Sequence, residues 1–334
     1  MSTTLAQPLT PSAPPSPSGT PTRFLAEFLV IVYIAVVAEL ALRTHHPYLL
    51  FPELAALVYD ILLRPHGRWA SQPVRLVLTP TITAIAGTLF TRHFPFNGLT
   101  VALLVILSAA VVLALRSVII PAMSAGLLPL VLGIKSWAYP PGMFATLAVL
   151  AVIAVLWRRS HPEPGPRRTD VEDVLESSPH SYGWLVLLVA FAAALAEAAR
   201  LTGLRFIIFP PLVTMAFEMF GHHGTVPWTK RPFSLPATCF VTAFGSLVAF
   251  HYLGPGFATA VVSVIVGIIT LRFFDLHMPP AMAVGLLVAV IAAPDYKFPV
   301  AVLLGTTALT IVSYLHQHYG RHLHFERARL KYNG

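Results

Sequence analysis

The chain has 334 residues, 56% of them hydrophobic and only 11% charged, with a formal net charge of +8 and a mean hydropathy of +0.73. A water-soluble fold cannot hide that much apolar side chain, so the outside as well as the core must be apolar, and the expected solvent and partner is a lipid bilayer. The Lys and Arg residues stand singly near the ends of apolar stretches instead of forming one basic face, which argues against nucleic acid as a partner.

In chain order, residues 1–22 are rich in Ser, Thr and Pro, without an acid or a base, and lack the basic start of a signal peptide. They are expected to be a disordered tail. Residues 23–158 form a first membrane unit, with helices expected at 24–43, 52–63, 74–92, 98–116, 121–134 and 140–157. Residues 159–181 are charged and Pro-rich and read as a solvated cytoplasmic linker. A second unit, 182–318, repeats the pattern with helices at 182–201, 210–220, 233–252, 256–273, 280–292 and 299–316. Residues 319–334 make a basic C-terminal tail. The fold class is all-α: a polytopic membrane protein of two tandem parallel repeats, each of about six helices including two short Pro-led ones.

The repetition is visible on sliding the chain along itself. Shifting the chain by 158 sets "AELALRTHHPYLLFPEL" from Ala38 over "AEAARLTGLRFIIFPPL" from Ala196, so that Glu39 meets Glu197 and Pro52 meets Pro210. One inserted residue later, Pro73 pairs with Pro232, Thr79 with Thr238, Pro121 with Pro280, Gly126 with Gly285 and Pro140 with Pro299. Arg64, Arg68, Arg75, Arg116, the linker arginines and the C-terminal bases fall on one side if each unit crosses six times from inside. Lys135, Lys297, Arg92, Arg43 and Arg205 depart from that pattern. Both termini are then cytoplasmic, and a bacterial inner membrane is the expected location.

The short helices carry the most information. About 14 residues rising ~1.5 Å each give roughly 21 Å, less than the ~30 Å hydrocarbon core. A helix that starts at a proline inside the membrane turns the positive end of its dipole toward whatever lies there, which suits a small anion. Four such starts occur, at Phe51 and Pro52, Pro121 and Ala122, Phe209, Pro210 and Pro211, and Pro279, Pro280 and Ala281. The amides of residues 52–55, 121–124, 210–213 and 279–282 are therefore candidate anion ligands. Proline at the first helical position is equally the ordinary way to begin a packed helix. Thr79 and Thr238 are candidate lining residues, with Thr83 and Thr242, and these hydroxyls can instead bond to their own helices.

Acids inside a membrane are costly and tend to mark function. Glu39 and Glu197 recur at one repeat position and are candidates for coupling or gating, although Arg43 and Arg200 stand within reach on the same helices. Asp60 has Arg64, Glu218 has His222, and Asp275 has Arg272 at similar spacing. Glu53 has no partner in its own turn and replaces Pro211 of the second unit. His277, just ahead of Pro279, has two readings: an anion-holding or titrating group, or a helix cap.

His316, His318, His322 and His324 contain a metal-like spacing, but the surrounding bases make a basic interfacial tail the reading, so no metal is expected. Cys239 lies in an apolar stretch and reads as packing. No nucleophile elbow, HExxH or phosphate loop is present, so neither an enzyme nor a cofactor is expected. A second copy of the chain is a further candidate partner.

His277, Pro279, Pro280 and Ala281 with Gly285 beyond, "FPPLVTMAFEMF", "TKRPFSL" (with "SQPVR" in the first unit) and "FPVAVLLGTTAL" together carry a likeness. The second unit, and the first more loosely, resembles the HPP family of integral membrane proteins, named for a His-Pro-Pro sequence opening a late helix. Met278 splits that motif here, and the first unit has Val118, Ile119 and Ile120 ahead of Pro121. The resemblance implies a multispanning membrane protein, with nitrite transport described for plant members. A transporter or channel for a small, nitrite-like inorganic anion is thus the expected function. The alternatives are a proton- or cation-coupled carrier using Glu39 and Glu197 with Asp60 and Glu218, and a non-transporting scaffold.

Overall fold

The computed structural model describes residues 20–162, 174–175, 183–222, 226 and 231–332, with side chains between 22 and 318. The expectations for residues 1–19, for most of the linker and for the side chains of His322 and His324 lie outside the described residues. Among the described residues the protein has twelve α-helices and no strand.

These are α1 (Thr20–Arg43), α2 (Pro52–Leu63), α3 (Pro73–His93), α4 (Gly98–Ala114), α5 (Pro121–Leu132), α6 (Tyr139–Ser160), α7 (Gly183–Thr202), α8 (Pro210–Gly221), α9 (Ser234–Leu253), α10 (Phe257–Phe274), α11 (Pro279–Val290) and α12 (Lys297–Tyr332). Short 3-10 turns, Pro47–Leu49 and Arg205–Ile208, lead into α2 and α8. The helix α12 does not stop near residue 316 but runs on to Tyr332, because nothing in "HQHYGRHLHFERARLKY" breaks a helix apart from Gly320.

Seven helices, α1, α3, α6, α7, α9, α10 and the first 22 residues of α12, are long and apolar enough to cross a membrane. Their patterning is inverted relative to a soluble protein. On α3, Val74, Leu78, Ile82, Ile85 and Leu89 face outward and exposed, whereas Thr79, Thr83, Thr88 and Thr91 are buried. An apolar outer face with hydroxyls turned inward fits lipid outside and protein inside. Each inward hydroxyl of α3 is satisfied on its own or a neighbouring backbone or side chain, as membrane burial demands.

The four short helices α2, α5, α8 and α11 are each 12 residues long, and all but their last one or two residues are buried. Apart from Glu53 and Asp60 on α2 and Glu218 on α8, these helices are apolar on nearly every face, which suits a central position. Proline starts each of them, and each stops for a local reason. Gly133 ends α5 in the left-handed conformation at φ 73°, where a Cβ would be strained. Ile291 ends α11 by turning extended.

Packing fixes directions. Along α3 and α5, Thr79 meets Ser117, Thr83 donates to the Ala122 carbonyl at 2.6 Å, and Arg92 donates to the Lys135 carbonyl at 2.7 Å. The two helices therefore run parallel, and α5 begins opposite Thr83, halfway along α3. Their backbones touch: a Cβ on Gly87 would stand 1.9 Å from the Gly126 carbonyl oxygen. Alongside α6, Gly142 abuts the Tyr48 carbonyl and Trp157 Nε1 donates to the Leu62 carbonyl at 3.0 Å, so α2 also runs parallel to its neighbour. Between the two sets of six, α1 packs on α10 and α7 on α4, while α2 packs on α11 and α8 on α5.

Candidate functional site

The prolines of the short helices alter what their ends offer. In α8 and α11 two successive prolines remove the first two amide donors, and the next amide already bonds the N-cap carbonyl: Leu212 to Phe209 at 3.0 Å and Ala281 to Met278 at 3.0 Å. In α5, Ala122 and Met123 donate to Ile119 and Ile120. In α2, Leu54 donates to Phe51 at 3.1 Å. These ends therefore present a positive dipole end with few free N–H groups, and the ligating chemistry falls to side chains.

The starts of α5 and α8 meet. Ser124 Oγ donates to the Pro210 carbonyl at 2.7 Å, and it lies 2.7 Å from Thr214 Oγ1; all three residues are buried. Since α5 begins opposite Thr83, this junction lies near the middle of the length of α3. The start of α11 lies elsewhere, against the last turn of α2, and that of α2 lies toward α6, with Tyr139 within electrostatic reach of Glu53. Pro52, Pro121, Pro210, Pro211, Pro279 and Pro280 are all buried, but no single residue joins all four starts.

Hydroxyls surround the centres of α5 and α11. Thr79 bonds Ser117, whereas Thr238 Oγ1, Ser246 Oγ, Ser263 Oγ and Ser108 Oγ are buried without a hydrogen-bond partner. Gly126 approaches Ser108 and Thr83, and Gly285 approaches Thr242 and Ser246, so the missing side chains at these glycines leave room for the hydroxyl groups.

A charged cluster closes one end of this core. Asp60, fully buried, accepts from Arg64 at 2.9 Å and lies 3.0 Å from His277 Nε2. Tyr59 stacks on the His277 ring at 5.6 Å between centroids. Sequence spacing pairs Arg272 with Asp275, and the structure corrects this: Arg272 bonds Glu27 of α1, which also accepts from Arg23. Sequence spacing offers Glu27 only Arg23, four residues before it; Arg272, 245 residues away along the chain, carries no sequence signal. Asp275 instead ends α10 in the left-handed conformation at φ 50°, a backbone state that short polar side chains tolerate.

Glu39 pairs with Arg43 at 2.6 Å in an exposed position. Glu197 bonds Arg200 at 2.7 Å and also accepts from the Gly98 amide at 2.7 Å, fastening the end of α7 to the start of α4. Glu218 is buried in α8, whose last amide bond joins His222 N–H to its carbonyl at 3.0 Å. Glu53 is buried at 2% exposure, and neither carboxyl oxygen has a hydrogen-bond partner.

Searches against family models, curated proteins and solved structures find no match to this chain. The seven membrane-length helices make it a candidate multi-pass membrane protein.

Proposed function

We propose that the chain is two parallel tandem repeats forming a transporter for a small inorganic anion of the nitrite type, which passes between the repeats beside the buried short helices. The observation that carries this reading is the Ser124 junction. A serine, a threonine and a proline-led helix start from each half meet near the middle of the length of α3, inside a shell of long apolar helices. A short-helix dipole end and convergent hydroxyls replace part of an anion's hydration, while the surrounding aliphatic wall excludes water. Arg64 and Arg272, paired with Asp60 and Glu27, stand at one end of that route, where His277 also bonds Asp60.

The repeat reading is supported by exchanged packing partners: α1 with α10 and α7 with α4, α2 with α11 and α8 with α5. Residues paired by the sequence shift also share rare backbone states, His45 with Gly203 and Arg116 with Asp275, all at positive φ. On this reading all six helices of each half alternate in direction, and both termini stand on the arginine-rich cytoplasmic side of a bacterial inner membrane.

The test is uptake by purified protein in liposomes against nitrite, nitrate, formate, bicarbonate and chloride. Saturable flux of at least one, slowed at least tenfold by Ser124→Ala combined with Thr214→Val, is expected. Absence of flux under every gradient would leave the scaffold reading instead.

A further inference from the structure

We propose that Glu53 carries a proton across the membrane together with the anion, which makes transport electroneutral symport; this rests on the anion-transport reading above. The first observation is burial without compensation. Both oxygens of Glu53 are enclosed and neither meets a donor from another described residue, unlike Glu27, Glu39, Asp60 and Glu197, each of which is bonded to an arginine. A carboxylate in that state costs several kcal/mol, so Glu53 rests as the neutral acid.

The second observation is position. Glu53 occupies the first turn of α2, one of the four buried Pro-led helices, and α2 packs on α11, α1, α6 and α5. The helices α5 and α11 contribute no titratable side chain, as their sequences PAMSAGLLPLVL and PPAMAVGLLVAV show. From α6, Tyr139 comes within electrostatic reach, and its hydroxyl is engaged in donating to the Ala125 carbonyl at 2.9 Å. Tyr48 abuts the Tyr139 ring edge-on. On α1, Tyr33 donates to the Thr146 carbonyl, and Glu27 and Glu39 are held by arginines. Among the described residues no cationic side chain faces Glu53; only the amide and dipole of its own helix start oppose the cost of ionising it, so a proton is the counter-charge that neutralises it in full.

The third observation is the break in repetition. The equivalent residue under the sequence shift is Pro211, which cannot titrate, so one proton site serves the two halves. An anion nearby is repelled by an ionised Glu53 and tolerated by the acid, so anion and proton each raise the affinity for the other by the same factor. Loading forms the O–H bond of Glu53 from a proton taken on the entry side. Release breaks it and hands the proton to water on the exit side. One anion and one proton cross, and no net charge moves.

The experiment uses full-length protein in proteoliposomes with a lumenal pH dye and an inward nitrite gradient, in wild type, Glu53→Gln and Glu53→Asp. Wild type is expected to acidify the lumen with a rate indifferent to membrane potential. Glu53→Gln is expected to keep nitrite uptake while losing acidification, and its uptake becomes potential-driven. Glu53→Asp is expected to restore acidification in part.

Infrared difference spectra supply a readout independent of flux: a protonated-carboxyl band is expected in wild type that shifts with nitrite and is absent from Glu53→Gln. Wild-type nitrite flux without acidification, or Glu53→Gln that still acidifies, overturns proton coupling while leaving anion transport standing. No wild-type flux of any anion overturns both. A fully ionised Glu53 in the infrared spectrum overturns the proton-carrying role whatever the flux.

Discussion

His277 Nε2 stands 3.0 Å from Asp60 Oδ1, so the residue that opens the α11 start is held by the last turn of α2, 217 positions away in sequence. A carboxylate only accepts, which fixes the hydrogen on Nε2. Asp60 is the centre of the pair, since it is fully buried and also bonds Arg64. Asp60→Ala removes the buried carboxylate that Arg64 and His277 both bond and is expected to cost about 3–5 kcal/mol. His277→Ala leaves Asp60 its arginine and is expected to cost only about 1 kcal/mol. Thermal unfolding in detergent gives the ranking, and equal losses would show that Arg64 does not compensate.

Close helix contact predicts a second ranking. A Cβ at Gly87 would stand 1.9 Å from the Gly126 carbonyl oxygen, and one at Gly305 would stand 2.2 Å from the Ile207 carbonyl oxygen, while one at Gly183 meets nothing within 4 Å. Gly87→Ala and Gly305→Ala force backbones apart and are expected to destabilise by about 1–3 kcal/mol. Gly183→Ala is expected to be neutral or slightly stabilising, with melting temperature as the readout.

The left-handed positions predict gains. His45 and Arg116 adopt φ 58° and 48°, states that disfavour a Cβ, and at the position matching His45 the chain carries Gly203 at φ 73°. His45→Gly and Arg116→Gly are each expected to stabilise by about 0.5–1 kcal/mol. An unchanged or lower melting temperature would mean that the side chain's own contacts outweigh the backbone relief.

Neutralising Glu39 and Glu197 together separates two transport mechanisms. Glu39 is an exposed helix-end pair, and Glu197 anchors α4 through the Gly98 amide. The double variant Glu39→Gln and Glu197→Gln is expected to keep both anion uptake and its proton coupling in the liposome assay. Loss of coupling there, with Glu53 intact, would move the proton site to these residues.

Helix number, the short Pro-led segments and the local ion pairs of Glu39, Asp60 and Glu197 were all readable in the sequence. These features depend on neighbours within a few positions: proline defines a helix start, and residues three or four apart on one helix face can pair. The sequence repetition likewise equated Glu53 with Pro211 and marked Glu53 as lacking a partner in its own turn. Tertiary structure alone decided that Arg272 turns to Glu27 instead of Asp275, that His277 serves Asp60, and that the starts of α5 and α8 meet at Ser124. It also decided that Glu53 finds no hydrogen-bond partner on another helix among the described residues. The physical reason is that in a membrane almost every side chain is apolar. Hydropathy then locates the helices but says little about which faces meet, and that choice rests on small residues, single hydroxyls and buried charges whose partners lie far along the chain.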